Sequence, residues 1–250
     1  MTVVFVHGVP ETSAIWDPLL DEFGRDDVVT LSPPGFGAPV PDGFEATSDA
    51  YRDWLVGELE HLDGPVDLIG HDWGGGHALR AATARPDLVR RLVTDIAGTS
   101  DRKYEWHDLA QVWQTQGDGE AFVQAMAAMP VDERAPLMVD AGMSEAAARS
   151  CAAANDETMG SCILSLYRSA VQPKMQLWGD QFAELSDRPA ALVVIPHEDH
   201  FTGGPEMARR VAQKWGAATA ELEGLGHWWM MQDPAQGAAV LRAFLSADAA

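Results

Sequence analysis

The sequence predicts an α/β fold, a mostly parallel sheet of about six strands flanked by helices and interrupted once by a helical insertion. Three observations predict it. Short runs of β-branched and apolar residues end abruptly at Gly, Pro or His-Gly, which is how buried parallel strands read. Segments of helical periodicity alternate with those runs, and such alternation means crossover units covering both sheet faces. From about Ser100 to Leu185 the alternation stops, and the chain becomes rich in Ala, Met, Gln and Glu without a strand-like stretch.

The elements follow in order. Val3-Val4-Phe5-Val6 reads as the first strand and closes at His7-Gly8. Val28-Val29-Thr30-Leu31 is the second, ended by Pro33-Pro34-Gly35. Tyr51 to Leu62 places Trp54, Leu55, Leu59 and Leu62 on one side of a helix. Val66 to Ile69 is the third strand, Gly74 to Thr83 its helix, and Leu92-Val93-Thr94 the fourth strand. Beyond the insertion come a strand at Ala191 to Ile195, a helix from Pro205 to Trp215, a strand near Thr219 to Leu222 and a last helix from Pro234 to Leu245. Within the insertion, Asp118 to Ala128, Ser144 to Ala154 and Met159 to Val171 read as separate helices. The expected division is a core of residues 1–99 and 187–250 with a dependent helical cap at 100–186. Such a cap belongs over the C-terminal strand ends, where a doubly wound sheet places its site.

Composition narrows the partners. The 250 residues carry 17 Lys and Arg against 38 Asp and Glu, a net charge of −21. That charge repels phosphate backbones and anionic lipid, which argues against nucleic acid and membrane surfaces. No run approaches the ~18 apolar residues of a membrane span, and MTVVFVHG has no signal-peptide pattern. A cytoplasmic location is expected. Cys151 and Cys162 would sit ~16 Å apart on one helix, too far for a disulfide. No Cys/His group has zinc spacing, and neither metal nor cofactor is expected.

Chemistry concentrates at strand ends. Gly70-His71-Asp72-Trp73-Gly74-Gly75 joins a strand to a helix and has the form of a nucleophile elbow, with Asp72 where serine is more usual. Alone it would also fit a glycine-rich turn with a capping Asp. His7-Gly8-Val9-Pro10-Glu11 follows the first strand, where oxyanion-hole backbone is expected. Asp199 follows the Ala191 strand and His227 the last one. Chain order is therefore nucleophile, acid, base.

With these motifs in register, the chain resembles the α/β-hydrolases, and within them the epoxide hydrolase and haloalkane dehalogenase branch. HGVPE at 7–11, GHDWGG at 70–75 and GHWWMMQDP at 226–234 are similar to epoxide hydrolases. The likeness covers residues 2–99 and 187–245 and is weaker in the cap. It implies Asp72 as nucleophile, His227 as base, Asp199 as acid and the N–H groups of Val9 and Trp73 as oxyanion hole. Asp95, after the fourth strand, is the alternative acid. A carboxylate is a poor acyl nucleophile but can displace a leaving group from an sp³ carbon, giving an alkyl-enzyme ester that His-activated water hydrolyses.

Leu166-Tyr167-Arg168 resembles the stretch that carries the second cap tyrosine of epoxide hydrolases, so Tyr167 is expected to protonate an opening epoxide. Trp113 to Gly117 resembles the family's F-Q-x-P-G stretch, yet Asp108-Leu109-Ala110 stands where the first tyrosine belongs. Tyr104, Trp106 and His107 are the candidates to replace it. A dehalogenase would need N–H donors for halide, with Trp73, Trp106, Trp113 and Trp178 as candidates and no Asn at position 9. His71 and His77 are expected to be structural, His197 and His200 to lie in a surface loop, and Met230 and Met231 to fill core. The leading expectation is an epoxide hydrolase acting on a small apolar substrate. A haloalkane dehalogenase is second, and a hydrolase-fold binding protein without turnover third. The Val28–Leu31 strand is expected at a sheet edge, which a loop or a second copy in a homodimer would cover.

Overall fold

The computed structural model describes residues 2–247; Met1 and residues 248–250, the ends of the two predicted core segments, lie outside them. Six strands form one sheet: β1 Val3–Val6, β2 Val28–Leu31, β3 Val66–Gly70, β4 Val89–Thr94, β5 Ala190–Pro196 and β6 Ala218–Leu222. Their order is β2-β1-β3-β4-β5-β6, and every pairing is parallel. Winding proceeds one way from β1 to β2 and the other way from β3 onward. The reversal opens a crevice at the carboxyl ends of β1 and β3, where ligands bind in sheets of this kind.

Alternation along each strand divides the core. Val3 and Phe5 join one apolar cluster with Leu19 and Phe23 of α1 (Asp17–Phe23) and Leu241 and Leu245 of α12 (Pro234–Ser246). Val4 and Val6 join the other cluster, which holds α2 (Ser48–Glu60), α3 (Trp73–Ala84) and α10 (Gly204–Trp215). This is the two-sided burial that a period of two imposes on a covered parallel sheet. As expected, β2 is an edge strand.

The cap contains six helices rather than the three read from sequence. They are α4 (Asp108–Gln114), α5 (Asp118–Ala128), α6 (Val131–Asp140), α7 (Glu145–Ala154), α8 (Glu157–Ser169) and α9 (Lys174–Glu184). Pro136 lies inside α6, so its pattern does not advertise a helix. Buried Arg134 of α6 donates to Ala127 O and Met129 O at the end of α5 and to Ala152 O and Asn155 O at the end of α7. One guanidinium thus satisfies carbonyls at two helix C-termini. The two-turn α1 and α4 were also unexpected, because they offer few periods to read. No helix among the described residues is long and apolar enough to cross a membrane; α11 is the short Trp229–Gln232 turn.

Candidate active site

The turn after β3 is held by contacts that only glycine permits. A Cβ on Gly70 would meet the backbone of Gly74 and Gly75, and one on Gly74 would meet Val6 O and His7 O. Asp72, between them, has φ +49° and ψ −128°, a strained conformation for a residue with a Cβ. The strain presents its carboxylate at the crevice between β1 and β3. Val9 N donates to Asp72 Oδ1 at 2.9 Å, from the loop after β1. A Cβ on Gly8 would collide with the same carboxylate. Trp73 is the first residue of α3, where backbone N–H groups have no partner within the helix.

His227, in the loop after β6, turns Nε2 toward Asp72 Oδ2 at 3.8 Å and Nδ1 toward Asp199 Oδ2 at 2.9 Å. Asp199 follows β5 and is itself fixed by Phe201 N at 2.8 Å and Thr202 Oγ1 at 3.2 Å. The three residues named from chain order therefore meet beneath the cap. Asp95 does not join them, and its reading as alternative acid is corrected. Its carboxylate accepts from Asp72 N at 3.1 Å and Trp229 Nε1 at 2.8 Å and pairs with His71 Nδ1 at 2.5 Å. Those partners hold it behind the elbow, away from His227.

Behind Asp72 lies a buried ionic row. His71 lies between Asp95 and Glu11, with Nε2 3.2 Å from Glu11 Oε1. Glu11 also accepts from Gly8 N at 2.7 Å and Trp228 Nε1 at 2.6 Å. Burial opposes charge on His71, but the two carboxylates outweigh it and hold the imidazole protonated well above its ordinary range. Burial likewise opposes the Glu11 carboxylate, yet the His71 charge and hydrogen bond bring it down to about 2. The sequence alone gives Glu11 no role and His71 a structural one. Their signal is an acid three residues after Gly8 and a His beside Asp72, both too common to single out. Glu11, His71 and His227 each bring one donor atom to within 4.8 Å of the others. Both His71 nitrogens are engaged by carboxylates.

Burial pushes Asp72 up to about 6, against the pull of His227. Asp199 is lowered: burial opposes its charge, but the His227 charge and hydrogen bond prevail. His227 is raised, with Asp199 overcoming the desolvation of its ring. At neutral pH the site thus holds an ionised but poorly solvated carboxylate beside an imidazole biased toward accepting a proton.

The cap contributes an aromatic wall. Tyr167 lines the cavity that Asp72 and His227 line, and its ring packs on Trp73, Trp106 and Trp113 with centroids 5.2, 5.4 and 4.7 Å away. Burial and the Asp72 charge hold its hydroxyl protonated far above the ordinary range. Tyr104 also lines the space near Asp72, but its hydroxyl donates to Phe201 O at 2.8 Å. It is therefore not the equal of Tyr167 as a donor. His107 lines both spaces beside Asp72. Its Nδ1 accepts from Ala110 N at 3.2 Å, and burial lowers it to about 4. The neutral ring then carries its proton on Nε2. The indole N–H groups of Trp106 and Trp113 are buried without a protein partner. Trp178 instead lies 4.3 Å beneath the Arg80 guanidinium. Tyr51 stacks on His77, consistent with a structural role for that histidine, and buried Met230 fills core.

A parallel sheet with this order, a strained acid on its elbow and a His–Asp pair on the last two strand ends define the α/β-hydrolase fold. The profile of the Alpha/beta hydrolase family matches residues 3–240, and the chain belongs to that family. The 2-(acetamidomethylene)succinate hydrolase of Mesorhizobium japonicum is 26% identical over 236 residues, covering 82% of this chain and 84% of that protein. An epoxide hydrolase of Caballeronia sordidicola is 34% identical over 96 residues, covering 36% of this chain and 29% of that protein. The first curated relatives are matched over only 27–35% of their own length. The crystal structure of a haloalkane dehalogenase variant from Bradyrhizobium elkanii superposes with a TM-score of 0.69 at 19% identity, covering 98% of this chain and 91% of that one. That likeness is one of fold.

Proposed function

We propose that this hydrolase opens epoxides through an alkyl-enzyme on Asp72. The observation that carries the reading is that Tyr167, Asp72 and His227 line one cavity. Asp72 Oδ1 is held by Val9 N–H, leaving Oδ2 to attack an epoxide carbon. As that C–O bond breaks, Tyr167 gives its proton to the departing alkoxide. His227 then takes a proton from water, which adds to Cγ of the Asp72 ester. The resulting oxyanion falls on the N–H groups of Val9 and Trp73. Collapse releases a diol, restores the Asp72 carboxylate and returns a proton from His227 to Tyr167.

The cavity walls also weigh against acidic substrates such as the succinates for which the Mesorhizobium relative is named. No Lys or Arg lines the spaces around Asp72, and Glu11 and Asp199 add negative charge nearby. Haloalkane dehalogenation is the second reading, favoured by the unpartnered indole donors of Trp106 and Trp113. The test is intact-mass analysis of His227→Gln with epoxide and haloalkane panels. A stable adduct from epoxides, with diol from the wild type, supports the proposal. Halide release without diol selects the second reading. No adduct from either panel and no product refutes both, and leaves a binding protein.

A further inference from the structure

The space in front of Asp72 is unequal. Toward Trp73 and Trp106 the cavity measures about 20 Å³, room for one water-sized group. Toward Tyr167 and His227 it measures about 80 Å³. This second cavity shares Pro10, Leu109, Trp113, Phe201 and Trp228 with a third, of about 330 Å³, beneath the cap. The five shared residues form a collar between reaction space and outer chamber. Past the collar the walls include Val123 and Met126 of α5, Leu137 and Met138 of α6, and Met143 and Ile163. No charged side chain lines the chamber. Leu137, one of its lining residues, is half exposed at 50%.

We propose that this chamber holds a hydrocarbon tail, and that the substrate is a terminal epoxide bearing one unbranched alkyl chain. The head of this proposal rests on the epoxide reading above; the tail rests on the chamber alone. Only one arm of the substrate has an exit, because the opposite side of Asp72 accepts a single small group. The ring's own terminal CH2 fills that space, so a second substituent on the epoxide has none. The arm must be uncharged, because neither collar nor chamber offers a counter-ion and desolvating a charge there is costly. Methionine walls adapt to chains of different length without fixed shape. The volume falls within the range of small-molecule sites, at the low end of about 300–1,000 Å³.

The experiment measures diol formation from 1,2-epoxides of four to ten carbons, alongside 2,3-epoxyoctane. Binding of n-alkanols across the same range is measured by calorimetry as a readout independent of turnover. In the wild type, KM and alkanol dissociation constants fall about fourfold per methylene (~0.8 kcal/mol each) until the chamber is full. Met126→Trp, which occupies the chamber, flattens both series, and Met126→Ala extends them to longer chains. The 2,3-epoxide turns over at least tenfold less efficiently than its 1,2-isomer. Equal slopes in the wild type and both variants overturn the chamber while leaving epoxide hydrolysis standing. Equal efficiency on the two isomers overturns the terminal preference. Alkanol slopes that respond to Met126 without diol from any epoxide overturn the epoxide head and support the tail site.

Discussion

Asp72→Asn should make the protein more stable at neutral pH while abolishing alkylation. Asp72 is lifted by burial from an ordinary 3.8 to about 6, so the folded state holds its proton more tightly than the unfolded state. Between those values the native protein binds the extra proton and gains stability from it. That gain is fully present below the unfolded value of 3.8 and is lost as pH rises through 6. Above pH 6 the wild type carries the whole cost of a buried carboxylate. A shift of about two units corresponds to about 3 kcal/mol. Asparagine keeps the size and the acceptor for Val9 N–H without the charge, so the variant should gain up to about 3 kcal/mol near pH 8. For a chain of this length that is about 6–12 °C in melting temperature. Urea titrations of both proteins near pH 8 and near pH 4 provide the assay, and the difference between them cancels the groups that do not interact with Asp72. A variant no more stable than the wild type near pH 8, or an advantage that does not shrink toward pH 4, would refute the reasoning.

Four further outcomes are expected. Tyr167→Phe should slow single-turnover alkylation by an epoxide ~10²–10⁴-fold while hydrolysis of a preformed alkyl-enzyme stays within a few-fold, as read by rapid quench. The wild-type alkylation rate should rise with pH through about 6 as Asp72 loses its proton; a flat rate across that window contradicts the assignment. Glu11→Gln breaks the buried row with His71 and should cost roughly 3–5 kcal/mol, measured by urea unfolding near pH 7. Arg134→Ala leaves four carbonyl contacts at the ends of α5 and α7 unmet, two of them buried, and should cost upwards of about 3 kcal/mol, with limited proteolysis cutting first within the cap.

The strand-end motifs were legible because their constraints are local and steric. Gly70 and Gly74 are needed wherever a strand turns sharply into a helix against the preceding strand, and residue type alone records that need. The choice between Asp199 and Asp95 was not legible in the same way, since both acids follow a parallel strand. It is decided by Trp229 and His71, which occupy Asp95 from other parts of the chain. Tyr167 was marked in the sequence by its Leu-Tyr-Arg setting, whereas what Tyr104 does depends on Phe201 O, which accepts its hydroxyl from a loop 97 residues away. The cap helices were half missed, because Pro136 masks α6 and its partner Arg134 acts across three helices.

By itself the sequence determined the alternating strands and helices, the elbow with a carboxylate in place of a hydroxyl, the order of acid and base, and the helical insertion between the fourth and fifth strands. These follow from periodicity, glycine sterics and residue chemistry, all of which act over a few neighbouring positions. Tertiary structure alone decided which acid orients His227, that His71 stands charged between two carboxylates, and that the space beside Asp72 narrows on one side and opens to an apolar chamber on the other. Such features depend on contacts like Trp228 to Glu11, separated by 217 residues in the chain. Their energies come from burial and charge pairing, which exist only once the sheet and cap have brought those residues together.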